Sequence, residues 1–93
     1  MIESSGNRHF IACPMVMDHA RQLSEKAATV LQGDSACFDL SRVEMADSSA
    51  IAVMLGVVRE AQAKGVAVSF ANVPQGVLTL ARLYKLDDQL AVV

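Results

Sequence analysis

Apolar and polar residues fall into blocks whose spacing switches between the two periods of regular structure, about 2 for strands and about 3.6 for helices. After a polar start, His9-Phe10-Ile11-Ala12-Cys13 reads as an extended segment, closed by Pro14, which has no amide to give to a sheet ladder. From Asp18, a side chain suited to capping, the apolar positions Ala20, Leu23, Ala27, Val30 and Leu31 recur at helical spacing until Gly33. That pattern predicts an amphipathic helix of about thirteen residues. Ala36-Cys37-Phe38-Asp39-Leu40 reads as a short strand covered by helices on both faces.

The run from Ala50 to Val58 is almost wholly apolar, and periodicity alone does not separate a buried helix from a buried strand there. Length decides for a helix. The stretch from Ser49 to Lys64 is too long for an ordinary strand, and Gly65 supplies the stop. Val66 to Ala71 is the next strand. Pro74 fits the first turn of a third helix with the stripe Val77, Leu80, Ala81 and Tyr84, and Leu90 to Val93 predicts a last short strand. Strands and helices alternating with short links give an α/β sandwich, a mainly parallel mixed sheet with helices packed on it. Right-handed crossovers place the loop from Glu44 to Ser48 at the carboxyl end of its strand, where open α/β sheets carry their sites.

A length of 93 residues leaves room for one core, so residues 1–93 are expected to form a single domain. The apolar fraction is 53% with 4% aromatic, so that core must be built from aliphatic side chains and Met. The apolar excess points to surface buried against a partner. Net charge is −2 with the basic residues scattered from Arg8 to Lys85, which gives no electrostatic footprint for nucleic acid. No apolar run is long enough to insert in a membrane, and Met1-Ile2-Glu3-Ser4-Ser5 does not resemble a secretion signal, so a cytoplasmic location is expected. Cys13 and Cys37 match neither a redox pair nor half of a zinc site and are expected as buried thiols. The five Met, at 1, 15, 17, 45 and 54, are expected as core filler and a soft contact surface rather than a lipid site.

Asp47-Ser48-Ser49 directly precedes the apolar helix, which makes Ser48 its expected N-cap, the hydroxyl accepting from an amide of the first turn. A functional reading stands beside this local one. A helix N-terminus tolerates a phosphate, and Asp47 next to the hydroxyl can orient it; phosphorylation there would add about two negative charges.

The run from Phe38 to Ala52, Phe-Asp-Leu-Ser-Arg-Val-Glu-Met-Ala-Asp-Ser-Ser-Ala-Ile-Ala, resembles the STAS domain signature, in which Asp-Leu-Ser is followed after a short loop by Asp and two small or hydroxylated residues. STAS domains occur in anti-sigma factor antagonists, sulfate transporters and lipid-transport accessories. The sequence departs from many antagonists at Ala50, where they have Gly, and carries Cys13-Pro14-Met15 in place of their Gly-Glu-Leu. The ending from Val77 to Leu86 is similar to that of MlaB-like proteins, cytoplasmic subunits of the Gram-negative ABC system that maintains outer-membrane lipid asymmetry. The resemblance implies a non-enzymatic interaction domain in which Ser48, with Asp47 and Ser49 beside it, either contacts the transporter's ATPase subunit or serves as phosphoacceptor for the serine kinase of an anti-sigma pathway. Arg59 and Gln62, polar positions on the same helix, are expected to extend the interface. No cofactor is implied.

An enzymatic reading finds no glycine-rich phosphate loop, nucleophile elbow or metal-ligand cluster. His9 and His19 lie on different elements, and Asp39 is expected to accept backbone hydrogen bonds at its strand end rather than to form an acidic pocket with Asp47.

Overall fold

A computed structural model describes residues 1–93. In chain order the elements are β1 (Ile2–Ser5), β2 (Arg8–Ile11), α1 (Met17–Thr29), β3 (Ser35–Asp39), α2 (Ser49–Lys64), β4 (Ala67–Ala71) and α3 (Gln75–Leu83), followed by a 3₁₀ turn at Asp87–Gln89. The four strands form one mixed sheet in the order β1-β2-β3-β4. β1 pairs antiparallel with β2, and the other two pairings are parallel. The α/β class and the mainly parallel sheet are as the sequence predicts.

The alternation of side chains along each strand divides the sheet into two unlike faces. His9 and Ile11 of β2, Ala36 and Phe38 of β3 and Phe70 of β4 point to one side and are buried. In register across three strands, His9 lies 5.4 Å from Phe38, and Phe38 lies 5.8 Å from Phe70, ring centroid to ring centroid. Leu23 and Ala27 of α1 and Ala50, Met54, Val57 and Ala61 of α2 close over this row in the same apolar cluster. Their spacing is the i, i+3, i+4 stripe of a helix face. Gly65 ends α2 with φ of 70°, a left-handed residue that a β-carbon would strain.

The opposite face carries Arg8, Phe10, Cys37, Asp39 and Ser69, of which Asp39 alone is buried; the others stay part-exposed, as they would not under a packed helix. β3 is therefore covered by helices on one side only, a correction to the sequence reading. The run from Ala36 to Leu40 looks continuously buried because Asp39, only 3% exposed, is enclosed by polar neighbours instead. Cys37 and Cys13 are half-buried free thiols rather than fully buried ones.

Two elements lie outside the sequence expectation. β1 was not predicted because Glu3-Ser4-Ser5 is polar, as suits a strand whose side chains stand mostly in solvent. Its signal was the Gly6-Asn7 pair joining it to β2: Gly6 has φ of 62° and is the first central residue of a two-residue hairpin. Asp18 does not cap α1, which begins one residue earlier and takes no cap from its own N-cap position, Val16. The tail forms a single parallel bridge, Val92 with Phe70, where a short strand was expected.

Asp39 ties the polar face together. Its carboxylate accepts from Arg8 Nη2 at 2.5 Å and Nε at 3.1 Å, from the Ser41 amide at 2.8 Å and from Asn72 Nδ2 at 3.2 Å. Asn72 holds φ of 55°, a left-handed conformation that Asn tolerates better than most residues, and so turns its amide back onto β3. Burial alone would raise the Asp39 pKa, but the bonds from Ser41, Asn72 and Arg8 outweigh it and hold the carboxyl far below its ordinary range.

Replacing Asp39 by Ala should lower the unfolding free energy by about 2–4 kcal/mol in urea titrations, because several donors lose a buried acceptor. Since the folded carboxyl ionises well below the ordinary 3.8, the unfolded chain takes up its proton first. The Asp39 contribution is therefore present above pH 4 and lost as pH falls further. His9 acts in a different window. Burial lowers its pKa below the ordinary 6.5, so the unfolded chain binds more protons just under that pH, and stability falls as pH drops from 6.5 towards the folded value. Urea midpoints measured from pH 7.5 to 3 should show both losses, and Asp39→Asn should remove only the more acidic one.

Candidate functional site

The chain leaves β3 at Asp39, whose carboxylate fixes the turn at Ser41, and runs through residues 43–48 to α2. This loop is held along its length. Met15 donates its amide to the Met45 carbonyl at 2.9 Å and accepts the Asp47 amide at 3.1 Å, a two-bond bridge between the entrance to α1 and the entrance to α2. The loop accordingly behaves as a short extra rung at the carboxyl end of the sheet, the location expected from the crossover rule.

Asp47 is the residue that caps the helix. Its Oδ1 accepts the Ser49 amide at 2.8 Å, while Oδ2 accepts the Met17 amide at 3.2 Å. The main-chain carbonyl of Asp47 also receives the amide of Ala50 at 3.0 Å. One carboxylate thus serves the first turns of two helices, which explains why α1 needs no cap from Asp18. Hydrogen bonds from Ser49, followed by that from Met17, hold the Asp47 carboxyl below its ordinary range.

Ser48 is placed differently from the sequence expectation. It occupies the N-cap position of α2 with helical φ and ψ of −62° and −17°, but its hydroxyl makes no capping bond. The physical reason is competition: an Asp one residue earlier reaches the same first-turn amides with a charged acceptor. The Ser48 side chain is exposed and free of any structural duty, while Ser49 is half-buried.

The surroundings are apolar and acidic. Met17 is 76% exposed and Met45 63% exposed, one on each of the segments that Asp47 and Met15 join. Asp18 and Glu44 stand exposed beside them. Met15 and Met54, by contrast, are buried in the core, so the five methionines divide between filler and surface. Met45 also lines a notch of about 190 Å³ with Val43, Val77 and Leu80, between the loop and α3. Three and four positions after Leu80, about one turn on, Leu83 is 71% exposed and Tyr84 54% exposed. Tyr84 was expected in the buried stripe of α3; it lies past the helix end and turns outwards, leaving Val77 and Ala81 as the buried positions.

Arg59 and Gln62 are exposed but are not part of this surface. They lie more than ten residues along α2 from Ser48, about 16 Å for Arg59 and about 21 Å for Gln62 by helical rise, and line a separate groove. His9 bonds Ser4 Oγ through Nδ1 at 2.7 Å, and neither histidine approaches Ser48 as a base. No group of three or more metal-ligating side chains occurs, and no helix is long and apolar enough to cross a membrane. Sequence reasoning missed the role of Met17 and the bridge from Met15, because both depend on two segments about thirty residues apart meeting.

Ser48→Ala should leave thermal stability essentially unchanged, within about 0.5 kcal/mol. Asp47→Ala should lower the melting temperature and loosen the starts of both α1 and α2. Amide exchange at Met17 and Ser49 measures this directly, with faster exchange expected in the Asp47 variant and none in the Ser48 variant.

A family profile described as Mlab, STAS domain matches residues 12–93. No curated protein sequence is similar enough to count as a relative. Among solved structures, an anti-sigma-factor antagonist (STAS) domain protein from Planctomyces limnophilus superposes with a TM-score of 0.74 at 14% identity, over 99% of this chain and 86% of that one. The Bacillus cell fate determinant SpoIIAA in its phosphorylated form superposes with a TM-score of 0.70 at 16% identity, over 100% of this chain and 87% of that one. The anti-sigma factor antagonist SpoIIAA in its unphosphorylated form gives 0.67 at 16% identity, over 89% and 81%. With the family profile covering nearly the whole chain and the same fold in these structures, the protein belongs to the STAS domain family.

Proposed function

We propose that this STAS domain is the accessory subunit of a Gram-negative phospholipid ABC transporter that maintains outer-membrane lipid asymmetry, and that it binds and regulates the transporter's ATPase subunit without catalysing a reaction itself. The observation that carries this reading is the exposed apolar stripe running from Met17 and Met45 past Leu80 to Leu83 and Tyr84. The fold has no use for Met17, Met45, Leu83 and Tyr84 in solvent, and Leu83 and Tyr84, with the half-buried Leu80 before them, lie in the segment that resembles the ending of MlaB-like proteins. Flexible Met side chains beside a pinned loop suit a protein interface. Ser48 and Asp47 sit at the head of the stripe, with Ser49 behind them.

The acidic rim of Asp18, Glu44 and Asp47 implies a basic complement on the ATPase. Attraction between the two rims speeds encounter and weakens with salt. Membrane association then comes through the partner and keeps the domain on the cytoplasmic side.

A second reading is favoured by one observation, the free Ser48 hydroxyl. Phosphorylation of Ser48 by a serine kinase would make the protein an anti-sigma factor antagonist, in line with its fold similarity to SpoIIAA. A phosphate there would stand beside the ionised Asp47 and would either displace it from the Ser49 amide or repel an acidic partner.

Affinity purification from native cells separates the two readings: co-purification of an ABC ATPase with its permease supports the first, and recovery of a serine kinase supports the second. With the purified ATPase, the uncharged variants Ser48→Trp and Met45→Asn should each weaken binding at least tenfold without lowering the melting temperature. Raising salt from 50 to 500 mM should slow association. Full binding by both variants would remove the site from this surface.

A further inference from the structure

The largest groove of the molecule lies away from Ser48, between the C-terminal half of α2 and the outer edge of β4. It has a volume of about 580 Å³. Leu55, Val58 and Val66 supply apolar wall, while Arg59 on α2 faces across to Asp88 in the 3₁₀ turn. Neither charge has an ion-pair partner within the chain.

β4 ends the sheet, so every second residue turns its amide and carbonyl away from β3. Ala67 donates to Asp34 at 2.9 Å and Ala71 accepts from Leu40 at 2.9 Å, which sets Val68 and Phe70 facing outwards. Phe70 is satisfied by the tail: its amide donates to the Ala91 carbonyl at 3.0 Å and its carbonyl accepts the Val93 amide at 2.9 Å. Val68 has no such partner, and both of its main-chain groups open onto the groove. The tail does not reach it because the chain kinks at Ala91, with φ of 52°, and winds upstream into Asp87–Gln89. The groove is therefore a vacant rung beside an edge strand, with an apolar wall and one unpaired charge of each sign.

We infer that this groove takes an extended peptide segment of a partner protein, which pairs with Val68 as an added strand, rests an apolar side chain on Leu55 and Val58, and sets an acidic side chain against Arg59. A residue in an extended chain presents one N–H and one C=O on the same edge at ladder spacing, which is what Val68 requires. Arg59 and Asp88 on opposite walls add charge complementarity: an acidic residue belongs on the α2 side and a basic one on the side of the 3₁₀ turn. The site is independent of the Ser48 surface and does not rest on the transporter reading.

Panning a random octapeptide phage library on the whole protein tests this, with the enriched peptides resynthesised and measured by fluorescence polarisation. The expected peptides alternate apolar and polar residues and carry an acid. Their affinity should fall at least tenfold on Arg59→Glu and on N-methylation of the paired residue, and the Val68 amide should shift in NMR spectra on binding. Val68→Pro gives a further check, because Pro is tolerated in an edge strand where the amide faces outwards. Failure to enrich any peptide, or enriched peptides indifferent to both Arg59→Glu and backbone N-methylation, would overturn the inference.

Discussion

Everything at the carboxyl end of the sheet depends on one buried carboxylate. Asp39 bonds Arg8 at the start of β2, the Ser41 amide at the start of the loop and Asn72 at the exit from β4, so a single side chain ties β2 to the points where the chain leaves β3 and β4. Each of those bonds is individually modest in its net effect. Together they enforce consistency: if the carboxylate moves, the loop carrying Asp47 and the turn leading to α3 lose their common anchor. The polar face of the sheet consequently does for the loop ends what the row of His9, Phe38 and Phe70 does for the helices.

Asp47 repeats the device one layer out. By accepting amides from both Met17 and Ser49, it locks the starts of α1 and α2 to each other and relieves Ser48 of the capping role. The outcome is a loop pinned by hydrogen bonds that displays an unused hydroxyl, with exposed methionines on the two segments it joins. Pinned main chain under soft side chains is a combination suited to recognition, since the loop has little ordering entropy to lose on binding while the thioethers adapt to the partner.

Most of the fold is legible in the residues. Helical spacing in Leu23, Ala27 and Leu31, the apolar length of Ala50 to Val58 and the stop at Gly65 place α1 and α2 within a residue or two, and the strands follow from the runs between them. What was not legible arises from contacts distant in sequence. The backbone bond from Ser41 to Asp39 is local and was expected, but nothing local shows Asp39 as a hub, because its side-chain donors Arg8 and Asn72 come from about thirty residues away on either side. Ser48 was expected to cap because the local pattern permits it; Asp47 prevails because a carboxylate that also reaches Met17 is a better acceptor. β1 was overlooked for a different reason. Its polar side chains carry no burial signal, although the Gly6-Asn7 turn announced the hairpin.

We propose that the surface from the Met45 loop to the end of α3 is the one that binds an ABC ATPase. Amide hydrogen exchange of the domain, alone and saturated with that ATPase, tests it most directly, because it reads every segment without altering any residue. The account predicts added protection confined to residues 43–50 and 76–85. Protection elsewhere with those two segments unchanged would contradict it.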